Sequence, residues 1–480
     1  MSAAPAFAVT AIDLFERDVR LRLPFRFGAV TVRRAPQAFV RATIRDAAGR
    51  ESTGWTAEMM IPKWFDKRPA RTDDENVDDL RTALGLARDA YTSDRALRPA
   101  FGHAAHRYRP LLSAGAAGGL NALVMSYGAA LADRAIIDAV CRQSRVSFSN
   151  AVRANLFALD AALAPDLADF DLDAFLASRA PAPWLAARHT VGLADPLVAA
   201  DVVERPDDGL PVALDEVIAR YGHRHFKLKL SGAPGDDAQR LARIASVLDA
   251  LPQYVVTLDG NEQFESADAL HALWRELRAA PALARFAASV LYVEQPLPRD
   301  LTAATDLRAF ARDAPLLIDE ADDTYDAFPR AWRNGYAGVS SKNCKGPYKS
   351  LVNAARCAAA ANSQRLFVSA EDLTAQCGLA VQQDLALAGA IGVTHVERNG
   401  HHYVAGFAGQ GASVAEQARF AVAHDGLYEG TPGATRLSIR DGRIALRSLD
   451  VEGFATAALP DQDSLAPMRV DAAQPARSLA

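Results

Sequence analysis

YVVTLDGN (254–261) is an apolar run that stops on an acid, and the chain repeats the device in VLYVEQP (290–296) and PLLIDE (315–320). Lysine-bearing runs flank the three, FKLKL (226–230) before them and GVSSKNCK (338–345) after. Three more runs of the same texture, TVGLAD (190–195), RLFVSAED (365–372) and GVTHVE (392–397), bring the count to eight. From Lys229 the intervals to Asp259, Glu294, Asp319 and Lys342 are 30, 35, 25 and 23 residues. A strand, a helix and two loops fill such an interval, so alternating β/α units around a parallel sheet are predicted. Eight units favour a closed barrel over an open doubly wound sheet. No GxGxxG follows the first strand, which weighs against a dinucleotide fold.

Working outward, residues 7–58 read as strands. AFVRATIRD (38–46) alternates well, and AAGRE (47–51) turns the chain into STGW (52–55). Pro24–Gly28 and the stretch from Trp55 to Pro69 are expected to be loops. From Asp73 to about Asp160 the apolar spacing becomes helical, as in LRTALGLARDAY (80–91). Residues 161–188, rich in Ala, Pro and Asp, read as an insertion or linker. In LSIRDGRIALRS (437–448) a hairpin through Asp441-Gly442 is expected to return to the N-terminal domain. The resulting division is a cap over 1–165, a linker over 166–188, a barrel over 189–429 and a returning segment over 430–480.

At 480 residues the chain has room for two domains with a sizeable core. Its net charge of −5 offers no basic field for nucleic acid or a membrane surface. No apolar run approaches the roughly 20 residues of a membrane span, and the N-terminus has no basic region of the signal-peptide kind. Cys141, Cys344, Cys357 and Cys377 form no CxxC pair, so they are expected to be reduced thiols in a cytoplasmic protein.

In a closed parallel barrel all strand C-termini open onto one face, where active sites sit. Asp259, Glu294 and Asp319 are expected to converge there, and three gathered negative charges call for a cation. Oxygen-only ligation favours Mg²⁺ or Mn²⁺ over zinc. Lys227 and Lys229 are two apart on a strand and point to the same face. The second ammonium is expected to depress the pKa of the first and make it a base. Lys342 ends the sixth run, nearly opposite in the ring. Lys345 is expected to be a solvated lysine in the loop or first helical turn, a less favoured substitute. His223 and His225 precede their strand, so they read as structural residues at the far face.

The order KxK, DxN, EQP, DE and a lysine after the sixth strand resembles the enolase superfamily, in particular its muconate lactonizing enzyme-like branch. YGHRHFKLKLSGAPGDDAQRLARI (221–244), LADRAIIDAVCRQ (131–143) and IRDGRIALRS (439–448) extend the likeness over nearly the whole chain. The resemblance implies a modified TIM barrel, (β/α)7β, with an N-terminal α+β cap completed by the C-terminal segment. It implies Asp259, Glu294 and Asp319 as Mg²⁺ ligands, with Lys229 and Lys342 as acid/base residues. Lys227 would interact with the substrate carboxylate and tune Lys229. Asn261, Glu320 and Glu397 match positions near substrate. The seventh run carries no histidine, so a His-Asp dyad is not expected. Glu397 and Asn399 in HVERNG stand where dipeptide epimerases have two aspartates. GWTAEMMIPKWFDK (54–67) departs from the usual GWGEA, and Lys63, Trp64 and Lys67 read as solvated loop residues, with a place facing substrate as the alternative.

The implied reaction is removal of the proton α to a carboxylate through an enediolate, which the metal stabilises as a Lewis acid. Racemisation, epimerisation or cycloisomerisation ranks above β-elimination of water. A Schiff-base lyase or aldolase leaves the three carboxylates without a purpose, and a non-catalytic binding protein leaves the lysines unexplained. The expected partner is a small carboxylate-bearing substrate, and the expected assembly a homo-oligomer.

Overall fold

The eight runs mark eight strands, although TVGLAD (190–195) holds only the last two residues of the first, which begins upstream of it. In this computed structural model, which describes residues 4–28 and 30–470, they are β4 (Trp184–Val191), β5 (His225–Lys229), β6 (Val255–Asp259) and β7 (Val290–Glu294), then β8 (Leu316–Ile318), β9 (Gly338–Ser341), β10 (Phe367–Ala370) and β11 (His395–Glu397). All pair in parallel, each with the next, and β11 returns to β4 with Glu397 opposite Arg188, closing the ring. The fold is an α/β barrel of the TIM type. Register fixes the mouth, since Lys229 lies opposite Asp259 and Asp259 opposite Glu294. On the other side of β5, Phe226, Leu228 and Leu230 pack with Leu241 and Ile244 of the helix Pro234–Leu248, as period-two alternation requires.

Before the barrel comes an antiparallel sheet of β1 (Phe7–Phe27), β2 (Val30–Asp46) and β3 (Glu51–Met59), then helices α1 (Asp73–Thr92), α2 (Ala100–Ala117) and α3 (Ala122–Ser144). Two expected loops are thus strands in part. Pro24–Phe27 continues β1 as a hairpin arm with Phe25 and Phe27 buried on one face, and Trp55–Met59 belongs to β3, while 60–69 runs outside any strand as expected. Both were hidden by composition, because proline and aromatic side chains interrupt the alternation. The start of α1 is set by a reciprocal cap between Thr72 and Glu75. Where β3 crosses α3, a Cβ on Gly54 would lie 2.2 Å from Ala135 O and Ala139 N, so only glycine admits this approach.

The cap is bolted to the barrel through α3. Arg134 pairs with Glu58 at 2.9 Å and donates to Gln383 on the barrel helix Leu379–Ile391, while Asp138 accepts from Trp55 N and Phe454 N. The stretch 161–188 holds a short helix, Leu172–Ala177, and its Asp166 pairs with Arg356 of the helix Pro347–Ala359. Strand β4 begins at Trp184, inside that stretch.

At the other end of the chain, Asp441 and Gly442 both have positive φ, as the expected turn needs. The strand after it, Arg443–Ala445, nevertheless pairs antiparallel with β4 of the barrel rather than with the cap. The return to the cap comes later, where Ala466–Pro467 pairs with Phe15 and Glu16 of β1. Of the segment 430–480, residues 471–480 lie outside the described residues, as does Ala29 of the Pro24–Val30 region.

Candidate active site

Asp259, Glu294, Lys229 and Glu397 are the last residues of their strands, and Asp319, Lys342 and Glu371 come just after theirs. All therefore sit at the barrel's C-terminal mouth, and all are buried. Burial of so many charges costs several kcal/mol per ion unless each finds a partner, and pairing is what the structure contains. Lys227 Nζ stands 3.0 Å from Asp259, 2.9 Å from Glu294, 2.7 Å from Glu371 and 3.1 Å from Glu397. Burial works against its charge, but these four carboxylates outweigh burial and hold the ammonium well above the usual lysine range. Lys229 Nζ donates to Asp259 Oδ2 at 2.6 Å, and Lys342 pairs with Asp319 Oδ2.

The carboxylates answer differently to the same surroundings. Burial opposes the charge of Asp259, but Lys227 and Lys229 keep its carboxyl below the ordinary value. Asp319 is held low in the same way by Lys342 and Lys345. Glu294 is pushed well above its ordinary value, by burial first and then by the negative charge of Asp259 and Glu371.

Among the described residues no group of three or more His, Cys, Asp or Glu side chains is gathered as a metal site. The lysines account for this, since each expected ligand has turned an oxygen to an ammonium. The residues nevertheless fit a hard divalent ion. The donors are all oxygen, they stand at the C-terminal ends of three adjacent strands, and Glu294 faces the negative charge of Asp259 and Glu371, which a cation would offset.

Asn261 donates its backbone N–H to Asp259 Oδ1 at 2.9 Å and its side-chain amide to Glu320 Oε1 at 3.2 Å. Asn261, Glu262 and Gln295 all have positive φ, a concentration of backbone strain at the mouth. Glu397 accepts from Thr190 Oγ1 at 2.5 Å as well as from Lys227. Glu320 faces a cap residue, because Lys67 Nζ lies 2.9 Å from it, 2.8 Å from Asn261 O and 2.7 Å from Glu262.

Several residues depart from their sequence reading. Trp64 is buried and its ring lies 4.6 Å from Lys342 Nζ, while Lys67 reaches the mouth, so neither is a solvated loop residue. Arg299 fixes that segment by donating to Trp64 O and Phe65 O. Lys63, by contrast, turns to the backbone oxygens of Arg68 and Arg71. Across the mouth, Phe25 and Phe27 approach Lys229 Nζ at 5.8 and 5.9 Å. Lys345 is 3% exposed and lies against Asp319, because the 3₁₀ turn Asn343–Lys345 folds it back beneath the strand end. Glu371 was missed altogether. It closes the seventh run as the other acids close theirs, and besides Lys227 it binds Arg188, which also donates to Tyr292 at 2.7 Å. His223 caps Ala187 O at 3.0 Å, and His225 begins β5, on the far side from the mouth.

Residues 210–427 match the family model described as enolase C-terminal domain-like. The match takes in β5 to β11 of the barrel and the helices between them. No curated protein sequence matches the chain. Among solved structures, the chain is similar to a muconate lactonizing enzyme from Mycobacterium smegmatis complexed with muconolactone, with 16% identity, 95% of this chain and 98% of that one covered, and a TM-score of 0.59. An enolase from Bradyrhizobium complexed with magnesium and mandelic acid gives 14% identity, 97% and 98% coverage, and 0.59. The L-Ala-D/L-Glu epimerase of Bacillus subtilis gives 14% identity, 93% and 99% coverage, and 0.57. At such identities the likeness carries the fold, including the cap. No helix among the described residues is long and apolar enough to cross a membrane.

Proposed function

We propose that the protein is an enzyme that abstracts the proton α to a substrate carboxylate and carries the resulting enediolate on to racemisation, epimerisation or cycloisomerisation. The observation that carries the reading is the placement of Lys229 and Lys342. They end β5 and follow β9, four strands apart in a ring of eight, with the acids of β6, β7 and β8 between them. Asp259, Glu294 and Asp319 would hold Mg²⁺ or Mn²⁺, which when bound supplies Lewis-acid stabilisation of the charge developing on the carboxylate.

The remaining roles belong to the chain's own side chains. Lys229 Nζ takes the proton from one face of the α-carbon, and Lys342 Nζ delivers one to the other. Lys227 stays an ammonium between its four carboxylates and offers a fixed positive charge to the substrate carboxylate. Phe25, Phe27 and Trp64 cover the two amines and exclude water, which strengthens every charge interaction beneath them. Asn261, Glu320 and Glu397 line the mouth next to these groups. β-Elimination of water uses the same two lysines and is the second reading. The names of the similar structures favour the first, since a lactonizing enzyme and an epimerase are among them.

The test is solvent exchange. Small carboxylates (acid sugars, N-acyl amino acids, dipeptides and aromatic lactone precursors) are incubated in D₂O and the α-position is read by NMR. Lys229→Met and Lys342→Met should each lower exchange from one face by roughly 10²–10⁴-fold, and EDTA should stop both. Unchanged exchange in the two variants rules the roles out.

A further inference from the structure

We propose that Lys345, acting through Ser340, is the positioning residue that fixes the Asp319 carboxylate, an inference that rests on reading Asp319 as a metal ligand. Lys345 Nζ donates to Ser340 Oγ at 2.6 Å and to Asp319 O at 3.2 Å. It also lies 3.4 Å from Asp319 Oδ1 and 3.1 Å from Asp322 Oδ2. The Ser340 hydroxyl in turn donates a hydrogen bond to Asp319 Oδ1. Asp322, which holds Lys345 from the far side, is backed in turn by Lys349 at 3.5 Å.

An ammonium has three N–H bonds, and here four acceptors compete for them. A lysine so occupied would have to abandon Ser340, Asp319 and Asp322 together to serve as a base. Lys342 is different, since apart from Asp319 Oδ2 it meets the Trp64 ring. The two lysines thus address opposite oxygens of one carboxylate. Lys345 and Ser340 hold Oδ1 toward the β8–β9 loops, which leaves Oδ2 turned into the mouth. A free aspartate side chain rotates about its last bond, so a fixed Oδ2 is an ordering cost met during folding rather than at ion binding. Groups that orient a ligand in this way typically change metal affinity by about 10–100-fold when removed.

Charge and orientation make opposite predictions, so two variants separate them. Lys345→Met removes a positive charge beside a ligand, and charge alone would tighten Mn²⁺ binding. Ser340→Ala removes the hydroxyl relay and alters no charge. Titration of Mn²⁺ followed by EPR should give both variants an affinity about 10–100-fold weaker than the unmodified protein. Tighter binding by Lys345→Met with Ser340→Ala unchanged overturns the proposal and leaves Lys345 as a charge balance only. If Lys345→Met does not fold, Ser340→Ala decides by itself. Should the unmodified protein bind no Mn²⁺, the metal reading of Asp259, Glu294 and Asp319 fails. The positioning claim is then decided by crystal structures of Ser340→Ala and the unmodified chain without divalent ions. An Asp319 carboxylate rotated away from Lys342 in the variant supports it, and one left in place overturns it.

Discussion

Asp319 in the barrel mouth and Asp133 in α3 are both buried aspartates, yet they end in opposite states. Asp319 faces Lys342 and Lys345, which hold it below the ordinary carboxylate range. Asp133 has a single partner, the Tyr91 hydroxyl at 2.6 Å, and burial pushes it up to about 7. Desolvation acts on both in the same direction, so the difference is made by the ammonium groups that one has and the other lacks. The mouth therefore keeps Asp259 and Asp319 ionised through lysines supplied by neighbouring strands, and the cap helix, supplying none, leaves Asp133 protonated up to about pH 7. Ionised oxygens are what a hard cation requires, whereas a neutral carboxyl suits a helix that must only pack.

The hardest break of this contrast is to take the central cation from the mouth. Lys227→Met leaves Asp259, Glu294, Glu371 and Glu397 facing one another without the ammonium they share. Urea unfolding at pH 8 should register a loss at the top of the about 3–5 kcal/mol range for stripping one partner from a buried pair. The loss should shrink as pH falls and the acids take up protons. An unfolding midpoint equal to that of the unmodified protein at pH 8 would mean that Lys227 is not what compensates them.

Asp133 sharpens the comparison from the other side. Its folded value near 7 stands above the 3.8 of an exposed aspartate, so between about pH 4 and 7 the native state keeps a proton that the unfolded chain releases. Stability from this group therefore falls as pH rises through that window. Asp133→Asn keeps a hydrogen-bond partner for Tyr91 and removes the titration. It should be more stable than the unmodified protein by as much as about 4 kcal/mol at pH 8, at 1.36 kcal/mol per pH unit, with the gain vanishing near pH 4. A gain independent of pH contradicts the assignment.

The smallest effect is expected at Lys67, whose pairs are partly open to solvent. Lys67→Met should cost about 1 kcal/mol in the closing of residues 60–68 over the mouth. That should read as a KM several-fold higher with kcat little changed, and as faster proteolysis of the segment. A fall in kcat with unchanged KM would give Lys67 a different task.

Much of this arrangement was written in short runs. The strands β5–β11 all lie where apolar stretches broke on a charged residue, whereas β4 starts in the stretch read as linker, and Lys227 and Lys229 share the inner side of β5 as a two-residue spacing demands. What escaped reading depended on turns and on contacts distant in sequence. Lys345 looked solvated because no spacing rule reveals that a 3₁₀ turn folds it under Asp319. Trp64 and Lys67 belong to a stretch whose composition suits an exposed loop, and what fastens it to the barrel is distant in sequence, Arg299 on Trp64 and Phe65 and Glu320 on Lys67. Glu371 closes its run as visibly as Asp259 does, but a second acid follows it at once in VSAED, so the run alone does not show which of the two faces the mouth. The turn at Asp441-Gly442 was legible from two residues, whereas its destination on β4 was not, since a turn fixes local geometry and says nothing of which sheet edge waits.

Gln295 gives the mouth a mechanical property of its own. Its Oε1 accepts from Asp319 N at 2.9 Å and from Ala321 N at 3.1 Å, while its Nε2 donates to Leu297 O and Thr302 Oγ1. Its backbone oxygen accepts from Glu262 N at 2.8 Å, and Glu294 O accepts from Gly260 N at 2.9 Å. One residue thereby ties together the loops that follow β6, β7 and β8. A divalent ion held between Asp259 and Asp319 would meet a frame joined on three sides, so a preference for its size would come from the scaffold as well as from the charges.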